Sequence, residues 1–362
     1  MTAKSKIIAI QAARGFAALL VVLYHSGRML ALPQYFGRNV FGDVFKFGHA
    51  GVDFFFTLSG FIIFYVHYRD IGIPNTFRRY AWRRLTRIYP IYWFVTIIAL
   101  TLALLSHDPE KSVGFPHIVA SFLLLPQAMD PLVGPAWTLE HEMLFYLLFA
   151  LAVLSRRFGM IVFAVWLASI LGKALGLLGD HLSFIAAFYH LQFFAGIAVA
   201  YAAIYRPPSH PIALAVTGVL GFLATGILEN LNLIAWGGHL SALLFGAAGA
   251  LTLLGLATAE RSGRLQVGSI GAFFGAASYA LYLVHTIVIG LFAHTLASLG
   301  LIRLFPGWSV GLAAAAMAVV VASLLHRFVE LPMMLYLQPL TASQPRFLAG
   351  TAQVRLRPTI SE

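Results

Sequence analysis

The sequence predicts an all-α integral membrane protein, a bundle of about ten transmembrane helices with both termini in the cytoplasm. Three observations carry this. Of the 362 residues, 60% are hydrophobic and only 10% are charged, against about 45–50% and about 25% in soluble chains. Mean hydropathy is +0.85. Apolar stretches of roughly 20 residues, enough to span a bilayer, recur from end to end, and Lys and Arg gather in alternate connections.

In order, the spans read as about 7–27, 48–68, 88–106, 137–154, 158–178, 183–204, 211–229, 238–258, 271–297 and 308–326. The start "MTAKSKIIAI" is basic, but no small-residue cleavage site follows, so the first apolar run is expected to stay as a helix. The stretch "HIVASFLLLP" (His117–Pro126) is too short to span and reads as interfacial or re-entrant. With the N-terminus inside, the inner segments hold 17 of the 24 Lys and Arg and the outer ones hold 6, with Arg14 inside the first span. If His117–Pro126 spanned, Arg156, Arg157, Arg206, Arg261 and Arg264 would move outside, against the positive-inside rule. Residues 1–340 form one transmembrane domain. The polar stretch 341–362 is expected to be a disordered cytoplasmic tail. No internal repeat stands out.

Composition also excludes chemistry. There are no cysteines, hence no disulfide, thiolate metal site or cysteine nucleophile. The net charge of +11 follows from positive-inside loops rather than from nucleic-acid binding. HExxH, phosphate-cradling glycine loops and GxSxG elbows are missing from the sequence. Neither a metal nor a resident cofactor is expected.

Ionisable groups inside spans are functional-site candidates. Arg14 and His25 are eleven residues apart, about 20° past three helical turns, so they share a face and lie about 16 Å apart along the axis. Asp53, Glu142 and His285 fall at a depth similar to that of His25 on three other helices. A buried histidine near carboxylates is held in one tautomer and made more basic. Toward the inner side, "RRYAWRRLTRIYPIYW" supplies Arg83, Arg84 and Arg87, residues suited to gripping phosphate. Blander readings stand beside these. The arginine run also serves as a positive-inside anchor for anionic lipid, and "YPIYW" as an aromatic belt. Glu140 and His141 read as interfacial. His49, His181, His190 and His239 show no usable spacing.

These residues form a pattern. Arg14-x10-His25, "GVDFFFTLSGFII" (Gly51–Ile63), "RRLTRIYPIYW" (Arg83–Trp93), "WTLEHEMLFY" (Trp137–Tyr146), "SYALYLVH" (Ser278–His285) and a closing "VELP" with Glu330 and Pro332 follow in order along nearly the whole chain. The chain resembles the acyltransferase 3 family, integral-membrane enzymes that O-acylate bacterial cell-surface glycans. "GPAWTLEHEMLFY" looks most like its exopolysaccharide-production subgroup. Two features depart from the family pattern: His285 is followed by Thr286-Ile287 instead of an early proline, and His141 stands beside Glu142.

The resemblance implies transfer of an acyl group, usually acetyl from acetyl-CoA, to a sugar hydroxyl, with Arg14, His25, Arg84 and Arg87 essential. Combined with the depth argument, it gives a concrete expectation. Acyl-CoA phosphates dock at the cytoplasmic face on Arg84, Arg87, Arg83 and Arg14. The pantetheine arm runs along the first helix. His25 acts as general base, oriented by Asp53 or Glu142, in direct transfer or through an acyl-histidine. Trp137, Tyr146, Tyr282, His285 and Ser278 line the pocket or the acceptor site. The expected partners are acyl-CoA, a sugar or lipid-linked glycan and membrane lipid, with the protein in the inner membrane. The competing class is a flippase or transporter of a lipid-linked sugar, with the same residues as a proton relay. Its usual internal repeat is not evident. A non-catalytic component of a polysaccharide export complex is a third option.

Overall fold

The structure, a computed structural model, describes residues 7–105 and 114–337; the tail expected from 341–362 lies outside these. All regular elements among the described residues are helical: α1 (Ile8–Leu30), α2 (Gly51–His67), α3 (Phe77–Leu105), α4 (Phe115–Leu123), α5 (Trp137–Leu154), α6 (Arg156–Ala174), α7 (Leu191–Tyr205), α8 (Pro211–Asn230), α9 (His239–Arg261), α10 (Ser269–Ser298), α11 (Gly307–Leu325) and α12 (Leu331–Leu337). Among the described residues, ten segments are long and apolar enough to cross a membrane, as the sequence predicts.

Two boundaries differ from expectation. The third span begins at Phe77 rather than near 88, because hydropathy alone hides an arginine-rich helical start. Those arginines find partners instead of a loop: Arg79 pairs with Asp70 and Arg87 with Glu330. The seventh helix begins at Leu191 rather than 183, after short 3-10 turns at Asp180–Leu182 and Phe188–His190.

The short α4 ends in a left-handed residue, Leu124. The carbonyls of a helix's last turn have no partner within the helix, and inside a bilayer they must find one in the protein. Three aromatic donors of α3 supply it. Tyr92 Oη donates to Ser121 O (2.5 Å), Trp93 Nε1 to Phe122 O (2.9 Å) and Tyr89 Oη to Leu123 O (3.0 Å). The "YPIYW" run, read from sequence as a belt, therefore also caps a helix end.

Small residues bring the helices close, as lipid-embedded packing requires. A Cβ on Gly196 of α7 would run into the Thr57 carbonyl and the Phe61 amide of α2. One on Gly275 of α10 would run into Gln11 of α1. These contacts set α1 against α10 and α2 against α7. The largest buried cluster, with Ala18, Val22, Phe56, Phe145, Leu281 and Val284, draws α1, α2, α5 and α10 together. Those four helices, with α3 and the turn that follows α11, carry the residues described next.

Candidate active site

Toward the N-terminal end of α1, Arg14 is tied to α10. Its Nε donates to Ser278 Oγ (2.7 Å) and its Nη2 to the Gly275 carbonyl (2.6 Å). Helical spacing puts Arg84 and Arg87 of α3 one turn apart. Arg87 Nη1 donates to Glu330 Oε1 (3.0 Å), and its guanidinium lies 5.1 Å from the centre of the Tyr279 ring. The other Glu330 oxygen accepts from His326 Nδ1 (2.7 Å). A π turn, His326–Glu330, closes α11 and carries both groups. Turns of this kind are frequent at functional sites.

Glu142 joins this layer. Its Oε1 accepts from Ser59 Oγ and Tyr146 Oη, both at 2.6 Å. Arg87, Glu330, Glu142 and Tyr146 are the charged and polar neighbours that Arg14 feels most strongly. Arg84 stacks over the Tyr146 ring at 5.9 Å. Its Nε is buried without a hydrogen-bond partner, and among the described residues it has no carboxylate. A buried donor left over in this way calls for a ligand or water. The layer sets three arginines against two carboxylates, so it carries spare positive charge. Arg83 does not belong to it. That side chain is exposed, on the side of Arg79 and Asp70. Burial pushes the Asp70 carboxyl up, but hydrogen bonds and charge from His67 and Arg79 outweigh it and hold the group below its ordinary value.

Near the far end of α1, His25 meets His285 of α10, with His285 Nε2 3.3 Å from His25 Nδ1. The ring centroids are 4.9 Å apart. Backbone carbonyls fix both tautomers. A carbonyl only accepts, so the ring nitrogen facing it carries the proton. His285 Nδ1 donates to Tyr282 O (2.8 Å), which makes His285 Nε2 an acceptor. His25 Nδ1 donates to Val21 O (2.9 Å) and is shared with His285 Nε2. The proton of a neutral His25 thus sits on Nδ1, and its Nε2 is the basic nitrogen. Tyr282 below makes its own bonds, to Thr138 Oγ1 (2.9 Å) and Pro135 O (3.1 Å).

The four groups expected at one level are therefore not one cluster. His25 and His285 meet, but neither Asp53 nor Glu142 bonds to His25. Asp53 Oδ1 accepts from Gln192 Nε2 (2.5 Å) of α7, on the side of His49 and Glu229. Counting residues from a helix end gives depth alone. Rotation about the axis sends Asp53 toward α7 and α9, and Glu142 toward Ser59 and the arginines. Trp137 packs edge-on to Phe56, His141 and Tyr189, away from His25.

A second histidine pair was not legible in the sequence. His141 and His190 are buried, and so is Glu140, against their interfacial reading. His190 Nδ1 donates to Ile185 O (3.0 Å), His141 Nδ1 then donates to His190 Nε2 (2.9 Å), and Tyr189 Oη donates to His141 Nε2 (2.7 Å). Every ring nitrogen in that chain is satisfied. In the His25–His285 pair the last nitrogen, His25 Nε2, has no partner among the described residues. The first chain is closed, and the second ends on an acceptor nitrogen, His25 Nε2, with room for one more hydrogen bond.

Comparison with known proteins places the chain among acyltransferases. One family description, Acyltransferase domain (acyltransferase 3), matches residues 7–327. The chain is 29% identical to the exopolysaccharide production protein ExoZ of Rhizobium meliloti, over 72% of this chain and 82% of that one. It is 29% identical to the acyltransferase MdmB of Streptomyces mycarofaciens, over 89% and 90%. A putative acetyltransferase, ORF330 of Acidianus two-tailed virus, is 28% identical over 37% of each chain. No solved structure matches.

Proposed function

Because the chain belongs to the acyltransferase 3 family, we propose that it transfers an acyl group from acyl-CoA to a hydroxyl of an exported or cell-surface glycan, with His25 as general base. That it is an acyltransferase, and a multi-pass membrane protein, follows from the family and the ten apolar helices. The transporter reading is set aside on the same ground. The glycan acceptor is carried by the name of the relative ExoZ.

The observation that carries the base is the open Nε2 of His25 beside a tautomer fixed by Val21, Tyr282 and His285. The acceptor hydroxyl gives its proton to His25 Nε2 as its oxygen attacks the thioester carbonyl. The new C–O bond forms, the C–S bond breaks, and the proton passes on to the departing CoA sulfur. A positioned base contributes about 10²–10⁴-fold.

The donor's phosphates are assigned to the arginine layer, with Arg84 as the spare cation. Arginine suits phosphate by its planar, bidentate geometry. The layer lies about 16 Å below His25 along α1, a distance that an extended pantetheine arm bridges. Acyl-CoA is a cytoplasmic metabolite, so this end of the bundle faces the cytoplasm, in keeping with N-in, C-in topology in the inner membrane. Acetyl is the proposed acyl group. The test uses purified full-length protein with acetyl-CoA and a glycan acceptor. Acceptor-dependent CoA release supports the reading, and its absence from folded protein that binds acetyl-CoA counts against it.

A further inference from the structure

Beyond His25, the end of α1 meets a group of side chains to which donor binding and proton transfer assign no task. The Tyr24 ring stands edge-on to the His25 imidazole, with centroids 5.0 Å apart. On its other side lie His49 at 6.1 Å and the indole of Trp236, inclined only 29°, at 6.4 Å. The His49 and Trp236 rings are 4.7 Å apart. Trp236 comes from the connection between α8 and α9 and is 44% exposed.

This exposed ring is braced from beneath. The Glu229 carboxylate is fully buried at the end of a span, where a charge is costly unless it serves a purpose. It accepts from His49 Nε2 (2.9 Å), from the Gly237 amide (2.9 Å) and from the Ser241 hydroxyl. The Gly237 bond fixes the residue next to Trp236, and the His49 bond fixes the ring against it. With its Nε2–H committed to Glu229, His49 has an Nδ1 with no partner among the described residues. A hydroxyl satisfies that nitrogen in either protonation state, because it both donates and accepts. Trp308, also exposed (57%), has no ring partner among the described residues and fits a membrane belt. Trp236 has two ring neighbours and a buried carboxylate holding its loop.

We propose that Trp236, Tyr24 and His49 form the acceptor subsite, and that its ligand is a pyranose ring. The apolar C–H face of the sugar lies on the indole, and His49 Nδ1 binds a ring hydroxyl. A further hydroxyl then points past Tyr24 toward His25 Nε2. The subsite rests on the reading of His25 as the reacting base, but its binding step does not need that base.

The test separates the two. Full-length protein in detergent is assayed with methyl glucoside, methyl galactoside and methyl mannoside as acceptors and acetyl-CoA as donor. Trp236→Ala is expected to raise the acceptor KM at least tenfold and leave the acetyl-CoA KM unchanged. Trp236→Phe falls between, and Trp308→Ala matches wild type. Normal acetyl-CoA KM certifies that each variant is folded. Equilibrium dialysis of the radiolabelled glycosides against His25→Ala is expected to show wild-type binding, lost again in the His25→Ala/Trp236→Ala double variant. An acceptor KM within twofold of wild type for Trp236→Ala overturns the subsite. So do equal rises in both KM values, or no saturable glycoside binding to the wild-type protein. Undiminished transfer by His25→Ala overturns the base alone and leaves the subsite to the dialysis result.

Discussion

His285 holds its Nε2 3.3 Å from His25 Nδ1, so the two rings meet through that nitrogen and His25 Nε2 is left open among the described residues. The ring is already anchored by Val21 O, so His285 acts as a second, lateral anchor. Replacing it with Ala leaves the tautomer but frees the ring to tilt. By analogy with the outer-shell partners that orient metal-bound imidazoles, losing such a partner costs about 10–100-fold. The expected outcome for His285→Ala is a fall of that size in kcat, with the acetyl-CoA KM unchanged. His285→Gln, whose amide oxygen still accepts, recovers part of it. An unchanged kcat would remove His285 from the account.

The two arginines of the α3 pair are expected to fail in different ways. Arg87 neutralises Glu330, which is 1% exposed. Removing one member of a fully buried pair costs about 3–5 kcal/mol; with Arg87 27% exposed and His326 still bonded to Glu330, the loss is expected below that range. Arg87→Ala should therefore lower the unfolding temperature in detergent, and Glu330→Gln in the same chain should restore much of it. Arg84 has no carboxylate to strand. Arg84→Ala should unfold like wild type yet bind acetyl-CoA more weakly, by about 1.5–3 kcal/mol for a lost charged hydrogen bond. Calorimetry of both variants checks the split. Equal stability loss in the two would contradict it.

Much of this was legible in the sequence. Span number, the shortness of the His117–Pro126 stretch and the shared face of Arg14 and His25 follow from apolar length and helical period. Azimuth did not. Asp53 and His25 sit at comparable depth, but only three-dimensional packing shows that Asp53 turns to Gln192 and His25 to His285. The His141–His190 pair was hidden for a related reason. Its partners lie on different helices, and its geometry depends on a 3-10 turn at Phe188–His190 that no periodicity announces.

The α2–α7 contact is expected to tolerate no side chain. Gly196→Val would drive a branched side chain into the Thr57 carbonyl. Helices that must separate lose the packing that holds them together in lipid. The expected outcome is loss of folded protein in membranes, seen by fluorescence-detected size exclusion. Gly134→Ala, where a Cβ meets nothing within 4 Å, should accumulate normally.

The helix-capping role of the α3 aromatics gives a milder effect. Tyr92→Phe takes the Tyr92 donor from the buried Ser121 carbonyl, which keeps the Leu124 amide at 3.2 Å. What is lost is one of two hydrogen bonds, worth about 0.5–1.5 kcal/mol. Thermal unfolding should shift down by a corresponding amount in Tyr92→Phe, and less in Tyr89→Phe, whose bond lies at the outer surface of the bundle. The reverse order would mean that α4 is held by apolar packing instead.

If His25 Nε2 takes the acceptor's proton, its loss shows in a single turnover. Purified His25→Ala is assayed for single-turnover CoA release, with acetyl-CoA affinity measured on the same preparation. Release is expected to fall by about 10²–10⁴-fold, with acetyl-CoA bound as tightly as by wild type. Release within a few-fold of wild type, from protein that binds acetyl-CoA normally, would contradict that role for His25.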